Sequence, residues 1–426
     1  MKIAYFLTDP GIGIFGVKGA SVHAQEMIRA FRTMGHEVTV YCLKRGTKAG
    51  DPGTETVPED LRNLPVFASP VTGAKDAPER ELAVLRAASR LATLAADEDY
   101  DLIYERYSLF SDAGVQLAQQ LRARTGRKVP VVMEVNSPLL DEQRQHRSLH
   151  HAQLAQEITR EAFAQADLLS CVSEPVAAWT ARQSGHHSAA VADAAEPGTQ
   201  IVVTPNGVNT ERFGTSPDTA NRADDDEAPG SFTVGFVGTL KPWHGTEQLV
   251  EAFASAAAPG RARWRLEIAG DGPQRKQLES LAVELGIRDQ VIFHGAVAPS
   301  RVPMLLRRFD VATAPYPQTQ DHYFSPLKVY EYMAAGLPTI ASAIGEIPEL
   351  LAGPSGAGQD AGLLVRPGDV EALAGALSTL AQDGQLRTAM GVQARRRAVE
   401  QHSWIRRAED LLNAVHTGSG AVEVKV

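Results

Sequence analysis

Residues 324–342 read FSPLKVYEYMAAGLPTIAS. The stretch spells a helix start, a helix, its stop and a strand. Ser325 suits an N-cap and Pro326 the first helical position. Gly336 suits the end. Leu327, Tyr330 and Ala334 form the core stripe of this helix, and Lys328 and Glu331, three apart, share the adjacent one. The opening amides at Ser325 to Lys328 have no partner within the helix. With the helix dipole they suit a diphosphate. Glu331, one turn on, is placed to hold the two hydroxyls of a ribose.

Two more strand-to-helix turns lie upstream. VGTLKPWHG, residues 237–245, follows a strand and feeds the helix TEQLVEAFA. It carries Thr239, Lys241 and His244. A lysine there can neutralise a leaving diphosphate. AGDGPQRKQLE, residues 269–279, turns on Gly270, Asp271 and Gly272, with Pro273 at the first helical position. All three turns stand at carboxyl ends of strands, where doubly wound sheets bind ligands. The strands are read at 233–237, 264–269, 291–293, 311–314, 339–341 and 363–365.

The same βαβα rhythm runs through the first half. Strands are read at 3–7, 37–42, 102–104, 129–135, 168–172 and 201–204. Helices are read at 21–34 and 76–96, with one helical, charge-rich segment ending at Gln165. The fold class is α/β: two tandem Rossmann-like doubly wound domains facing a cleft, the default site. Domain bounds fall at 1–210, with a surface loop at 183–200, and at 231–402. A polar linker at 211–230 joins them. Residues 403–426 form a separate amphipathic helix and tail.

The first turn, GIGIFG at residues 11–16, matches a dinucleotide fingerprint. Its context does not. Val17, Lys18 and Gly19 lengthen the turn before the helix begins near Ser21, and strand two ends without an acid. Hydride transfer is set aside. Gly11, Gly13, Gly16 and Gly19 are read as a flexible loop whose amides suit a phosphate or a sugar.

Bulk composition narrows the field. The 426 residues carry a formal net charge of −9 and no long basic block. That disfavours a nucleic-acid binder. Arg395 to Arg397 read as a solvated helix face. Cys42 and Cys171, the two cysteines, read as buried free thiols. No apolar stretch approaches membrane-spanning length, so a cytoplasmic protein is expected. His146, His150 and His151 have helical spacing but no ligating acid, so no metal site is read there.

In combination and order, PNGVNTERF (205–213), VGTLKPWHG, AGDGP, FSPLKVYEYMAAGLPTIAS and GLLVRPGD (362–369) resemble the family 4 retaining glycosyltransferases, which have the GT-B fold. The N-terminal GVKGASVHAQEM is similar too. The resemblance implies a nucleotide-sugar donor, with a UDP-sugar favoured, on the second domain and a small-molecule acceptor on the first. The final helix would cross back to the first domain, and no metal or other cofactor would be needed. Donor-side residues would be Gly19, Thr239, Lys241, His244, Gly270, Gly272, Ser325, Pro326, Leu327, Lys328 and Glu331. Acceptor-side residues would be His23, Glu134, Asn136 and Ser137. Lys241, Glu331 and Asn136 carry the catalytic expectation. Four positions depart from the family pattern. Tyr323 stands where an acid eight residues before Glu331 is usual. Thr239 and His244 stand where Arg and Lys are common, with Lys241 between. Asn136 stands where a His often follows the middle strand. A nucleotide-sugar epimerase and a non-catalytic nucleotide-sugar binder are the competing readings.

Overall fold

A computed structural model describes residues 1–46, 57–146, 148–185, 199–214, 231–257, 263–318, 323–353 and 360–417. Most of the expected linker and of the 183–200 loop, and the side chain of His146, lie outside the described residues. The chain divides into two compact units, Met1–Pro205 with Trp404–Val426, and Asn206–Ser403.

The first unit is built on β1 (Lys2–Leu7), β2 (Glu37–Cys42), β3 (Val66–Ala68), β4 (Leu102–Arg106), β5 (Val131–Val135), β6 (Leu168–Cys171) and β7 (Gln200–Val203). Their order is β3-β2-β1-β4-β5-β6-β7, and every pairing is parallel. Strands such as IAYFL and VVMEV are near-continuous apolar runs because helices cover both faces of the sheet. β3 was not anticipated. It has three residues at the sheet edge, with Phe67 44% exposed, too short to show any alternation.

The helix expected at 76–96 spans Ala77–Ala95, with the Asp76 carboxylate accepting from the Glu79 amide. The charge-rich segment before Gln165 is two helices, Leu139–His146 and Ala152–Gln165, instead of one. The final helix, Trp404–Thr417, belongs to this unit and packs on the helix Gly19–Thr33. Its Trp404 ring meets the His23 imidazole edge-on at 4.7 Å, and Ala408, Leu411 and Leu412 are buried.

The glycine-rich turn is held, which corrects the flexible-loop expectation. Ile14 and Phe15 donate backbone hydrogen bonds to Lys44 and Arg45, and both side chains are buried. The Gln25 amide donates to the Ile14 and Gly16 carbonyls. At Gly16 a Cβ would lie 2.5 Å from the Ser21 hydroxyl, so the close approach of turn and helix requires glycine. The helix begins at Gly19, two residues earlier than expected, and Gly19 is exposed.

The second unit holds β8 (Phe232–Val237), β9 (Trp264–Ala269), β10 (Val291–Gly295), β11 (Val311–Ala314), β12 (Thr339–Ser342) and β13 (Gly362–Val365). Their order is β10-β9-β8-β11-β12-β13, again all parallel. Both units are therefore Rossmann-like doubly wound domains, each with its order reversing beside its first strand. One core layer gathers Phe232, Phe236, Phe253 and Trp264. The opposite layer gathers Phe309, Tyr330, Tyr332 and Met333.

Two arginines expected on a solvated face are not there. Arg397 is 8% exposed and donates to the Leu350 and Ala352 carbonyls. Arg395 donates to the Thr210 and Ala334 carbonyls. Both cysteines are buried and free, and burial pushes each thiol up to about 12. Among the described residues, no helix is long and apolar enough to cross a membrane.

Candidate functional site

In the second unit the strand order reverses between β8 and β11, the place where open parallel sheets bind ligands. These two strands pair only at Val234 and Gly235. Beyond that level they part, and Tyr332 fills the fork. Its hydroxyl accepts from the Val237 amide at 2.8 Å and donates to the Val237 carbonyl at 3.4 Å. The carboxyl end of β8 is thereby tied to the helix Leu327–Ala334.

That helix starts one residue later than its sequence suggests. Pro326 is its N-cap, so Ser325 is not, and the Ser325 side chain has another use. The Ser325 hydroxyl accepts from the Asn206 amide at 3.0 Å and donates to a Glu346 carboxylate oxygen. The Ser325 carbonyl accepts from the Asn206 side chain at 2.8 Å. The Tyr330 hydroxyl donates to the same Glu346 oxygen at 2.9 Å. Two distant chain segments, at Asn206 and Glu346, thus fix the amino end of this helix. At the other end Gly336, with φ of 71°, lets the chain turn away, and the Arg395 guanidinium caps the Ala334 carbonyl at 2.7 Å. A cation there complements the dipole, whose positive pole lies at Leu327.

Lys328 departs most from expectation. It does not share an exposed stripe with Glu331; it is 9% exposed, while Glu331 is half-buried. Its ammonium sits 4.1 Å from the Phe236 ring centroid and 5.2 Å from that of Tyr316. It also lies against the β8 turn, since a Cβ on Gly238 would be 2.8 Å from Nζ. No hydrogen-bond acceptor meets this nitrogen among the described residues. Burial brings the Lys328 pKa down to about 7, with Glu331 pulling weakly the other way.

The β8 and β9 turns touch backbone to backbone. A Cβ on Gly270 would stand 1.7 Å from the Gly238 carbonyl oxygen, and one on Gly272 would stand 2.4 Å from that of Leu240. Leu240 also donates to the Asp271 carbonyl. These glycines are required by the packing of one turn on the other. Pro273 lies outside the helix Arg275–Glu284, contrary to its expected first position.

In the β8 turn, Thr239 is exposed and its carbonyl accepts from His244 Nδ1 at 2.5 Å. Burial, with the Lys328 charge nearby, lowers the His244 pKa to about 4 and leaves the ring neutral near pH 7. Lys241 lies with its ammonium 4.6 Å from the centroid of Trp243, a ring that is 50% exposed. The structure thus groups Thr239, His244, Lys328 and the two glycine turns at one strand end, with Lys241 on the outer side.

The first unit has its own buried polar cluster. Glu134, 3% exposed on β5, bonds His23 Nε2 through one oxygen at 2.5 Å and Arg106 through the other at 3.0 Å. Burial alone would raise its pKa, but His23 and Arg106 outweigh burial and hold it at about 2. Just beyond β5, both side-chain polar atoms of Asn136 are buried, with no partner among the described residues. Ser137 accepts from the Leu139 amide as the next helix starts. Arg106, Asn206 and Glu346 were missed by sequence reasoning. Asn206 stands in the PNG triplet already noted, but its partner is 119 residues away.

The histidine patch carries no chemistry of this kind. His150 and His151 edge a surface depression of about 340 Å³, and their amides donate to Glu81. Among the described residues, no three His, Cys, Asp or Glu side chains are grouped to hold a metal ion.

Comparison with known proteins agrees with this architecture. Residues 17–212 match the model described as Glycosyltransferase Family 4, and residues 231–383 match Glycosyl transferases group 1. Two doubly wound domains with these matches define a GT-B glycosyltransferase. The chain belongs to glycosyltransferase family 4. It is 28% identical over 420 residues to a D-inositol 3-phosphate glycosyltransferase of Jonesia denitrificans, covering 95% of this chain and 92% of that one. A 158-residue stretch, 36% of this chain, is 36% identical to an exopolysaccharide phosphotransferase of Streptomyces coelicolor and spans only 15% of it. Among solved structures, a sucrose-phosphate synthase of Thermosynechococcus elongatus shares the fold at a TM-score of 0.69 and 21% identity, covering 98% of each chain. HepE of Anabaena, solved with UDP, does so at 0.67 and 19% identity, covering 98% of this chain and all of that one.

Proposed function

We propose that this glycosyltransferase moves a sugar, with retention and without a metal, from a nucleoside diphosphate sugar to a hydroxyl of a small polar acceptor. The observation that carries this is the strand-end site of the second unit. There a helix start anchored by Asn206 and Glu346, a buried ammonium and a half-buried carboxylate lie within two turns of one another. The diphosphate sits on the first amides of the helix Leu327–Ala334, past the N-cap Pro326 that Ser325 helps to fix. Glu331 takes the ribose hydroxyls. Thr239, Lys241, His244 and Lys328 form the polar and cationic side of the donor site. The UDP and UDP-glucose complexes of HepE support a uridine donor.

Retention follows most simply from substitution on one face of the sugar. The bond from the anomeric carbon to the β-phosphate oxygen breaks as the acceptor oxygen bonds to that carbon. The acceptor's proton passes to the departing phosphate oxygen. Catalysis is then positioning and charge stabilisation. A covalent route requires a free carboxylate beneath the sugar. Glu134 fits that role poorly, because both its oxygens are bonded and the side chain is buried. On the acceptor side, Asn136 offers an unused donor and an unused acceptor to a hydroxyl, with Ser137 beside it. The Jonesia relative's name supports a phosphorylated cyclitol as the first acceptor to try, ahead of secondary-metabolite alcohols.

Melting-point shifts with UDP, GDP and ADP test the donor class, since a ligand of the native state raises the melting point by mass action. Sugar nucleotides of the stabilising base are then incubated with cyclitol phosphates and other polyols, and the product's anomeric configuration is read by NMR. Retained configuration supports the proposal. Inverted product refutes the mechanism, epimerised donor without acceptor points to an epimerase, and binding with neither transfer nor hydrolysis points to a binder.

A further inference from the structure

We propose that Lys328 is the cation that meets the departing diphosphate, and that it becomes charged by taking up a proton as the donor binds. The inference rests on the donor reading above and assigns the charge within it. A buried ammonium with no acceptor is expensive, and an apolar side chain of the same length would pack there without that penalty. Two ring faces offset only part of the cost. The site lacks an anion, and the amides opening the same eight-residue helix are suited to one.

The groups around Nζ leave Lys328 as the one to change charge. On its own helix, the Glu331 carboxylate favours the charged form, and the buried Tyr332 hydroxyl is bonded to Val237. From the β8 turn, His244 is neutral with Nδ1 bonded to the Thr239 carbonyl, and Lys241 lies over Trp243. From the end of β11, burial raises the Tyr316 hydroxyl well out of the neutral range. From the turn after β12, Glu346 is engaged by the Ser325 and Tyr330 hydroxyls. In the free protein burial holds the Lys328 pKa at about 7, so the amine is mostly neutral at pH 8. An entering diphosphate favours the ammonium and raises that pKa. Proton uptake is therefore small below pH 7 and rises toward one above it. Donor affinity falls as pH climbs past 7, by at most about tenfold per unit for one coupled proton.

The test is calorimetric titration of the full chain with UDP at pH 8, in two buffers of different ionisation heat. This pH is far above the nucleotide's own last phosphate ionisation near 6. We expect roughly half to one proton taken up per UDP, and a Kd that rises about fivefold or more between pH 7.5 and 8.5. Lys328→Arg should still bind UDP, with no uptake and a flat Kd. Lys328→Met should bind more weakly and equally flat, and in turnover should lose more in kcat than in KM. Thermal unfolding checks that both variants are folded. His244→Gln should keep the uptake. UDP binding without uptake, uptake that survives Lys328→Arg, or uptake lost in His244→Gln overturns the inference while leaving the donor reading in place. Failure of UDP, GDP and ADP to bind the unaltered protein overturns both.

Discussion

Replacing Glu134 by Gln removes one charge from a sealed cluster and keeps its shape. The folded protein holds this carboxyl at about 2 against an ordinary 4.5. A depressed acid contributes stability above its unfolded pKa and loses it as pH falls through the folded one. The shift is worth about 3 kcal/mol at pH 7, and the side chain is too buried for solvent screening to reduce it much. Between pH 7 and 3.5 about two-fifths of that advantage should vanish, because the unfolded carboxyl becomes protonated while the folded one does not. The assay is urea unfolding at several pH values, read by pulsed hydrogen exchange of the β5 peptide. A probe inside the first unit is needed because a two-unit chain has no single unfolding free energy. Glu134→Gln should lower β5 stability by about 3 kcal/mol at pH 7 and by about 2 at pH 3.5. A deficit under 1 kcal/mol, or one that fails to narrow on acidification, would refute the account of the His23–Glu134–Arg106 cluster.

Arg395→Ala strips the cap from the helix Leu327–Ala334 and the tie to Thr210; unfolding of the second unit should show a loss of about 2 kcal/mol, as for hydrogen bonds to a charged group. Gly270→Ala places a methyl on the Gly238 carbonyl, so a loss of about 3 kcal/mol or more, or failure to accumulate soluble protein, is expected. Cys42 and Cys171, buried with raised thiols, should resist a thiol-reactive dye in the native protein and react fully in denaturant.

Much of this architecture was legible in the sequence because long apolar strands bounded by glycine turns leave few alternatives. Twelve of the strands lie where the runs of Val, Ile and Leu stand, within a residue or two. β3 escaped because an exposed three-residue edge has no pattern to read. The helix Leu327–Ala334 was legible in outline, since helix starts and stops have local signatures. What stayed hidden was long-range. Helical spacing put Lys328 beside Glu331 on an outer stripe, but the helix Leu327–Ala334 is buried on nearly every side, so Lys328 points inward. Ser325 reads as a cap until Asn206 and Glu346 arrive from distant segments. Arg395 to Arg397 looked solvated because the carbonyls at helix ends and in a turn that take up Arg395 and Arg397 leave no mark in the sequence.

The return of Trp404–Thr417 to the first unit has a consequence for biosynthesis. The ribosome must make the whole second unit before this helix emerges. At about 5–20 residues per second that is a delay of roughly 10–40 seconds. Throughout it the nascent first unit exposes the flank of Gly19–Thr33, His23 included, that the helix Trp404–Thr417 later covers. Early folding of the amino-terminal half is therefore provisional, and its last layer is set only once the second unit has been made.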